Sequence, residues 1–197
     1  MRARGFTLVE LLVVMTIGAI LVAAAVPSFS WFIATTRAGN AANTMVGAFE
    51  LARSEAIRRN TVVSVCRTLD PNAAEAVLAC SNAAGGGYAA GDWASGWVMF
   101  EKRGSTAAGT YQNGVDAVLQ RQPAAGTGGA RLVVAGNLPG AAVAYDRHGT
   151  AASSAGTFSI DYRDPASAVL TGAARCVVVA VVTGRITVKR PVAGACA

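Results

Sequence analysis

The stretch "RGFTLVELLVVMTIGAILVAAAV", Arg4 to Val26, decides how the rest of the chain is read. Glu10 is the only charge between Arg4 and Arg37, and none occurs from Leu11 to Thr36. A helix rises about 1.5 Å per residue, so residues 6–26 reach roughly 30 Å, the thickness of a bilayer core. The segment predicts a membrane-spanning helix. A carboxylate inside such a helix costs free energy unless it meets a partner, so Glu10 calls for one. Pro27 follows at a place where a kink is expected.

A secretory signal has a basic start, a short apolar region and a small-residue cleavage site behind it. Here the apolar run is longer, and the small residue Gly5 precedes it. The Ala-rich "LVAAAVPS" (21–28) offers a conventional cleavage site and leaves a secreted protein as the other reading. For an anchored chain, Arg2 and Arg4 stay on the cytoplasmic side, which places everything beyond the span in the periplasm.

At this point the sequence carries a resemblance. "RGFTLVELLVVMTIGAIL" (4–21), with Gly5-Phe6 as the junction and Glu10 four residues further on, resembles the leader of type IV prepilins and type II secretion pseudopilins. The resemblance implies that prepilin peptidase cuts after Gly5 and that Phe6 becomes a methylated amino terminus. It also implies a partner for Glu10, the amino group of Phe6 in a neighbouring subunit. A paired carboxylate is tolerated in an apolar bundle. The competing reading of Glu10 is an interfacial charge at headgroup level.

The 197 residues carry 17 basic and 11 acidic side chains, a formal charge of +6. Loss of Arg2 and Arg4 with the leader lowers this to +4, a mild excess that argues only weakly for an acidic partner. Beyond the span enough chain remains for one globular domain. The expected division is a leader at 1–5, a pilin helix at 6–60 with its span at about 6–26, and a periplasmic β-rich domain at 61–197.

Four cysteines, Cys66, Cys80, Cys176 and Cys196, lie beyond the span. Disulfides fit an exported domain, and three pairings are open. Cys66–Cys80 with Cys176–Cys196 closes short loops and is the pairing expected here. Zinc is the competing reading, but no C-x-x-C spacing occurs and His148 is the only histidine. No metal or other cofactor is expected.

After Pro27 the helix is expected to continue to about Asn60. Met45, Phe49, Ala52 and Ala56 recur at helical spacing on one face. Glu55 stands four residues before Arg59, as on a solvated face. Gly39, Asn40 and Gly47 weaken the middle and allow a bend. From Thr61 on, β-rich runs alternate with Gly, Pro, Ser and Ala: 62–66, 96–100, 117–121, 131–134, 142–146, 157–162, 175–182 and 185–189. One helix followed by such strands predicts an α+β fold, a long N-terminal transmembrane or pilin helix before an antiparallel β-sandwich-like domain. Residues 69–95, with Gly85-Gly86-Gly87, read as a flexible loop; no lysine follows at the spacing a phosphate cradle needs.

Three further stretches, "LARSEAIRRN" (51–60), "WASGWVMF" (93–100) and "TGRITVKR" (183–190), are similar to the FimT, FimU and GspH subfamily of minor pilins and pseudopilins. That implies a priming or tip subunit that assembles with major and minor pilins or pseudopilins at the bacterial inner membrane.

The last of these stretches also has a direct reading. Thr183-Gly184 suits a short hairpin turn. Side chains alternate along a strand, so Arg185, Thr187 and Lys189 share one face while Ile186 and Val188 share the other and pack inward. Arg190 follows, and no acidic residue occurs after Asp164. Such cations meet the phosphates of double-stranded DNA without reading sequence. The resemblance points the same way, toward a Gly-Arg-x-Arg motif of DNA-uptake pilins; Gly184, Arg185 and Ile186 match it and Thr187 replaces its second arginine. The competing reading is a solvated edge strand, where Lys and Arg discourage aggregation.

No catalytic residue is assigned. His148 lies in the turn "YDRHGT" with Asp146 two residues away, and no nucleophile-elbow motif is present. Binding and assembly remain as the function classes.

Overall fold

The computed structural model describes residues 7–125, 131–137, 141–151, 156–163, 172–180, 183–192 and 196, without the side chains of 24–28, 30, 131, 132 and 137. Helix α1 runs unbroken from Leu8 to Arg59, through Pro27 and the three helix-weakening residues. Thr7 caps its start by accepting the Glu10 N–H at 3.2 Å. Asn60 ends it in the left-handed conformation (φ 55°), with the Thr61 N–H bonded to the Ala56 carbonyl at 3.1 Å. Arg58 and Arg59 occupy the last turn, where cations suit the carbonyl end of the helix.

Among the described residues eight strands follow, at all the runs expected from the sequence: β1 Val63–Arg67, β2 Trp97–Glu101, β3 Ala117–Gln122, β4 Arg131–Asn137, β5 Ala142–Tyr145, β6 Gly156–Arg163, β7 Arg175–Val179 and β8 Ile186–Lys189. They form two four-stranded antiparallel sheets in the orders β3-β2-β1-β5 and β4-β6-β7-β8. The fold is α+β, a long helix with two antiparallel sheets packed on its second half.

The helix meets both sheets along a stripe of mostly small side chains. Ala34, Ala38, Ala42, Met45, Phe49, Ala52 and Ala56 are buried, at steps of four, four, three, four, three and four. Alanine lets the sheets approach the helix closely, and Phe49 fills the space between them. Its ring lies 5.2 Å from Phe158 of β6, which in turn meets Trp93 edge-on at 5.1 Å. Val63, Val65, Met99, Val143, Tyr145, Val177 and Val179 complete this core.

The other face of the first sheet is covered too. Cys66, Val98, Phe100 and Ala142 form a second cluster with Leu78 and Tyr111 from the loops. Those loops are tied down. Arg121 donates to the carbonyls of Pro71 at 2.9 Å and Ala73 at 2.6 Å, and Asn113 to that of Ala76 at 2.7 Å. Disulfides join Cys66 to Cys80 and Cys176 to Cys196.

The reading of 69–95 as a flexible loop is corrected by Arg67. This side chain is fully buried, and its guanidinium donates to the carbonyls of Asp92 (2.7 Å), Ser81 (2.7 Å), Ala83 (2.8 Å) and Ala89 (3.2 Å). Asp92 then caps a 3-10 turn, Trp93–Ser95, and accepts the Val134 N–H at 2.9 Å. One cation inside the loop replaces the backbone pairing that a strand would supply.

Candidate functional site

Two surfaces concern function. The first is the start of α1. Every described side chain from Leu8 to Phe32 is exposed, and at Ala34 the helix becomes buried. Leu8, Met15, Ile20 and Phe29 are each 65% or more exposed, an apolar surface far beyond what a soluble monomer shows. Among the described residues no helix is long and apolar enough to cross a membrane; side chains 24–28 fall outside them. Glu10 lies exposed in the first helical turn. Gly5 and Phe6 lie outside the described residues, so the expected pair between Phe6 and Glu10 does too.

The second surface is the C-terminal hairpin. β8 is an edge strand, antiparallel to β7, with Val177 opposite Val188 and Val179 opposite Ile186. The alternation sets Thr187 and Lys189 on the opposite face from Ile186 and Val188. Two expectations need correction. The connection is wider than a Thr183-Gly184 turn: β7 ends at Val179, β8 begins at Ile186, and Ala180 donates to the Arg185 carbonyl at 2.9 Å. Gly184 also donates to the Ala180 carbonyl at 3.1 Å, a second bond across this connection. Val188 is also 45% exposed instead of packed inward, because β8 is the outermost strand of its sheet.

Arg185 sits just before β8, Lys189 ends it and Arg190 follows. All three are exposed, and none forms an ion pair among the described residues. This differs from Arg58, Arg59 and Arg103. Arg58 and Arg59 hold Glu55 at 2.6 Å each, Arg59 also reaches Glu101 at 3.0 Å, and Arg103 joins Glu101 at 2.9 Å. The bonds from Arg58 and Arg59 hold the Glu55 carboxyl down at about 2.

His148 is exposed on the turn after β5. Asp146 accepts its backbone N–H at 2.9 Å, not its ring, and also the N–H and hydroxyl of Thr150 at 2.9 and 2.6 Å. The carboxylate shapes a turn and orients no imidazole. Among the described residues no three His, Cys, Asp or Glu side chains are grouped to hold a metal.

The family described as Type II transport protein GspH matches residues 41–184, and the prokaryotic N-terminal methylation motif matches residues 1–26. Two crystal structures of the type IV minor pilin FimU from Pseudomonas aeruginosa (strain PAO1) are similar. In the P21 form the TM-score is 0.51 at 18% identity, over 79% of this chain and 93% of that one. In the P65 form it is 0.49 at 20% identity, over 78% and 96%. No curated protein matches the chain.

The chain belongs to the GspH family of minor pilins and pseudopilins, structural subunits that assemble with other pilins. The likeness to FimU in its P21 form shows the shared fold.

Proposed function

We propose that the chain is a minor pilin, cut by prepilin peptidase between Gly5 and Phe6 and built into a type IV pilus as a priming or tip subunit. In this reading residues 1–5 are the leader, about 6–26 span the inner membrane once, and 61–197 form the periplasmic domain. Glu10 pairs with the Phe6 amino group of a neighbour. The observation that carries the reading is the exposed apolar run from Leu8 to Phe32, ahead of a helix half that is buried from Ala34. A surface of that size needs lipid before assembly and other helices after it. The test is co-expression with prepilin peptidase and partner pilins. Mass analysis is expected to find an N-terminus at Phe6 with one added methyl group. Glu10→Ala is expected to be cut normally but left out of filaments; incorporation at the wild-type level sinks the pairing.

Two finer readings divide on the partner. The GspH match favours a pseudopilin of a type II secretion system acting only through protein contacts. The exposed Arg185, Lys189 and Arg190 favour contact with duplex DNA during uptake. Titration with duplex DNA at several salt concentrations separates them. Salt-sensitive binding lost in Arg185→Ala/Lys189→Ala/Arg190→Ala supports the uptake pilin, and no binding at low salt leaves the secretion or structural subunit.

A further inference from the structure

The hairpin does not stand alone. Its turn packs against the turn that follows β5, through two glycines. Gly184 (φ +63°) approaches so closely that a Cβ there would lie 2.9 Å from the Gly149 carbonyl and 2.9 Å from the Tyr145 ring. Gly149 (φ +75°) in turn lies against α1, where a Cβ would meet Ile57 at 2.8 Å and Arg53 Nε at 3.0 Å. Both positions combine left-handed backbone with contact that excludes a side chain. The chain has therefore closed three elements onto one point, and each brings an arginine: Arg185 next to Gly184, Arg147 two residues before Gly149, and Arg53 against Gly149.

We infer that Arg53, Arg147 and Arg185 form one phosphate-binding site for duplex DNA, continued along β8 by Lys189 and Arg190. The inference rests on the DNA reading above and adds to it two residues from elements remote in sequence. Guanidinium groups suit phosphate because their planar fork donates two parallel hydrogen bonds. Arg147 and His148 are both exposed, with the Arg147 Nε 3.4 Å from the His148 Nε2.

Two carboxylates lie nearby. Asp146 is committed to the turn: burial would raise its pKa, and the bonds from Thr150 and the His148 N–H outweigh this and lower it. Glu50, one turn before Arg53, trims the local charge without cancelling three arginines.

The placement also separates DNA from an anionic bilayer. Arg53 follows Phe32 by 21 residues of continuous helix, roughly 30 Å at 1.5 Å per residue. A chain anchored by its first half holds this site well clear of its own membrane.

The test uses the full-length chain in neutral detergent with a 30-base-pair duplex, from low to physiological salt. Arg53→Ala/Arg147→Ala is compared with the triple hairpin variant and with Arg58→Ala/Arg103→Ala, which removes equal charge from a region engaged with Glu55 and Glu101. The inferred site predicts a roughly tenfold loss of affinity for Arg53→Ala/Arg147→Ala and a salt slope shallower by about two, one per phosphate contact. The Arg58/Arg103 control is expected to stay within about twofold, and Arg147→Lys to restore most of the slope. DNA binding that needs the hairpin but is unchanged in Arg53→Ala/Arg147→Ala overturns the inference and leaves the DNA reading standing. No binding by wild type overturns both. Binding to phosphatidylglycerol vesicles without binding to the duplex overturns the inference in favour of lipid.

Discussion

Lys102 donates to Asp116 at 2.7 Å with both side chains almost wholly buried, 6% and 0% exposed. The lysine also donates to Thr106 Oγ1 and to the Thr110 carbonyl, and the carboxylate accepts the N–H groups of Arg103, Gly104 and Gln112. Burial alone would raise the Asp116 pKa; the bond from Lys102 and the three backbone donors outweigh it and lower it. This pair closes the long β2–β3 connection over the second core.

Breaking that pair is therefore expensive, because the surviving charge has no water to turn to. Lys102→Met and Asp116→Ala are each expected to lose about 3–5 kcal/mol of stability, read from urea denaturation of the oxidised protein. The double variant Lys102→Met/Asp116→Leu is expected to recover part of the loss. A single variant within about 0.5 kcal/mol of wild type contradicts this account.

Arg67 poses a similar case with carbonyls in place of a carboxylate. Arg67→Met keeps the volume and leaves four carbonyls without their donor, an expected loss of about 3 kcal/mol or more. Amide exchange in 81–92 is expected to accelerate well before global unfolding. Arg67→Lys supplies charge but not the fork, so it is expected to lie between the two.

Glu55 gives the acid limb of stability a defined window. Its carboxyl ordinarily titrates near 4.5 and is held down at about 2 in the fold. A lowered pKa means that the stabilisation is complete above 4.5 and is lost as pH falls from there toward 2. Arg58 is 64% exposed, so the term is about 1 kcal/mol. Glu55→Gln is expected to flatten this part of the stability–pH curve; an unchanged curve places the acid sensitivity elsewhere.

The disulfide Cys66–Cys80 closes a loop over a separation of 14 residues, and Arg67 holds the segment that follows it through the Ser81 and Ala83 carbonyls. Cys66→Ala/Cys80→Ala is expected to cost about 3 kcal/mol on loop length alone. Residues 81–92 are expected to retain their protection in that variant, since Arg67 still holds them. Loss of protection there shows that the disulfide, not the guanidinium, sets the loop.

The helix and all eight strands were legible because each rests on a local pattern. Met45, Phe49, Ala52 and Ala56 repeat at helical spacing, and runs such as 157–162 alternate cleanly, so Phe158 and Ile160 face the core while Ser159 and Asp161 do not. Arg67 was not legible. An arginine ending "VVSVCR" reads as a solvated strand end, and its four acceptors come from a Gly- and Ala-rich segment without signature. The meeting of Lys102 with Asp116 is hidden for the same reason, since the partners stand 14 residues apart across a loop. At the C-terminal hairpin the cations Arg185, Lys189 and Arg190 could be read directly. Arg53 and Arg147 could not, because it is the packing of Gly149 against Arg53 and against Gly184 that joins their elements to the hairpin.

The alanine stripe of α1 has a mechanical side. From Ala34 to Ala56 the helix lies against both sheets, a seam of about 33 Å at 1.5 Å per residue. A pull between the projecting half of the helix and the sheets acts along this seam, so its contacts are loaded side by side and must slip together. A peeling load would break them in turn, starting from Ala34. The domain is thus built to resist tension along the helix axis better than torque at the point where the helix leaves it.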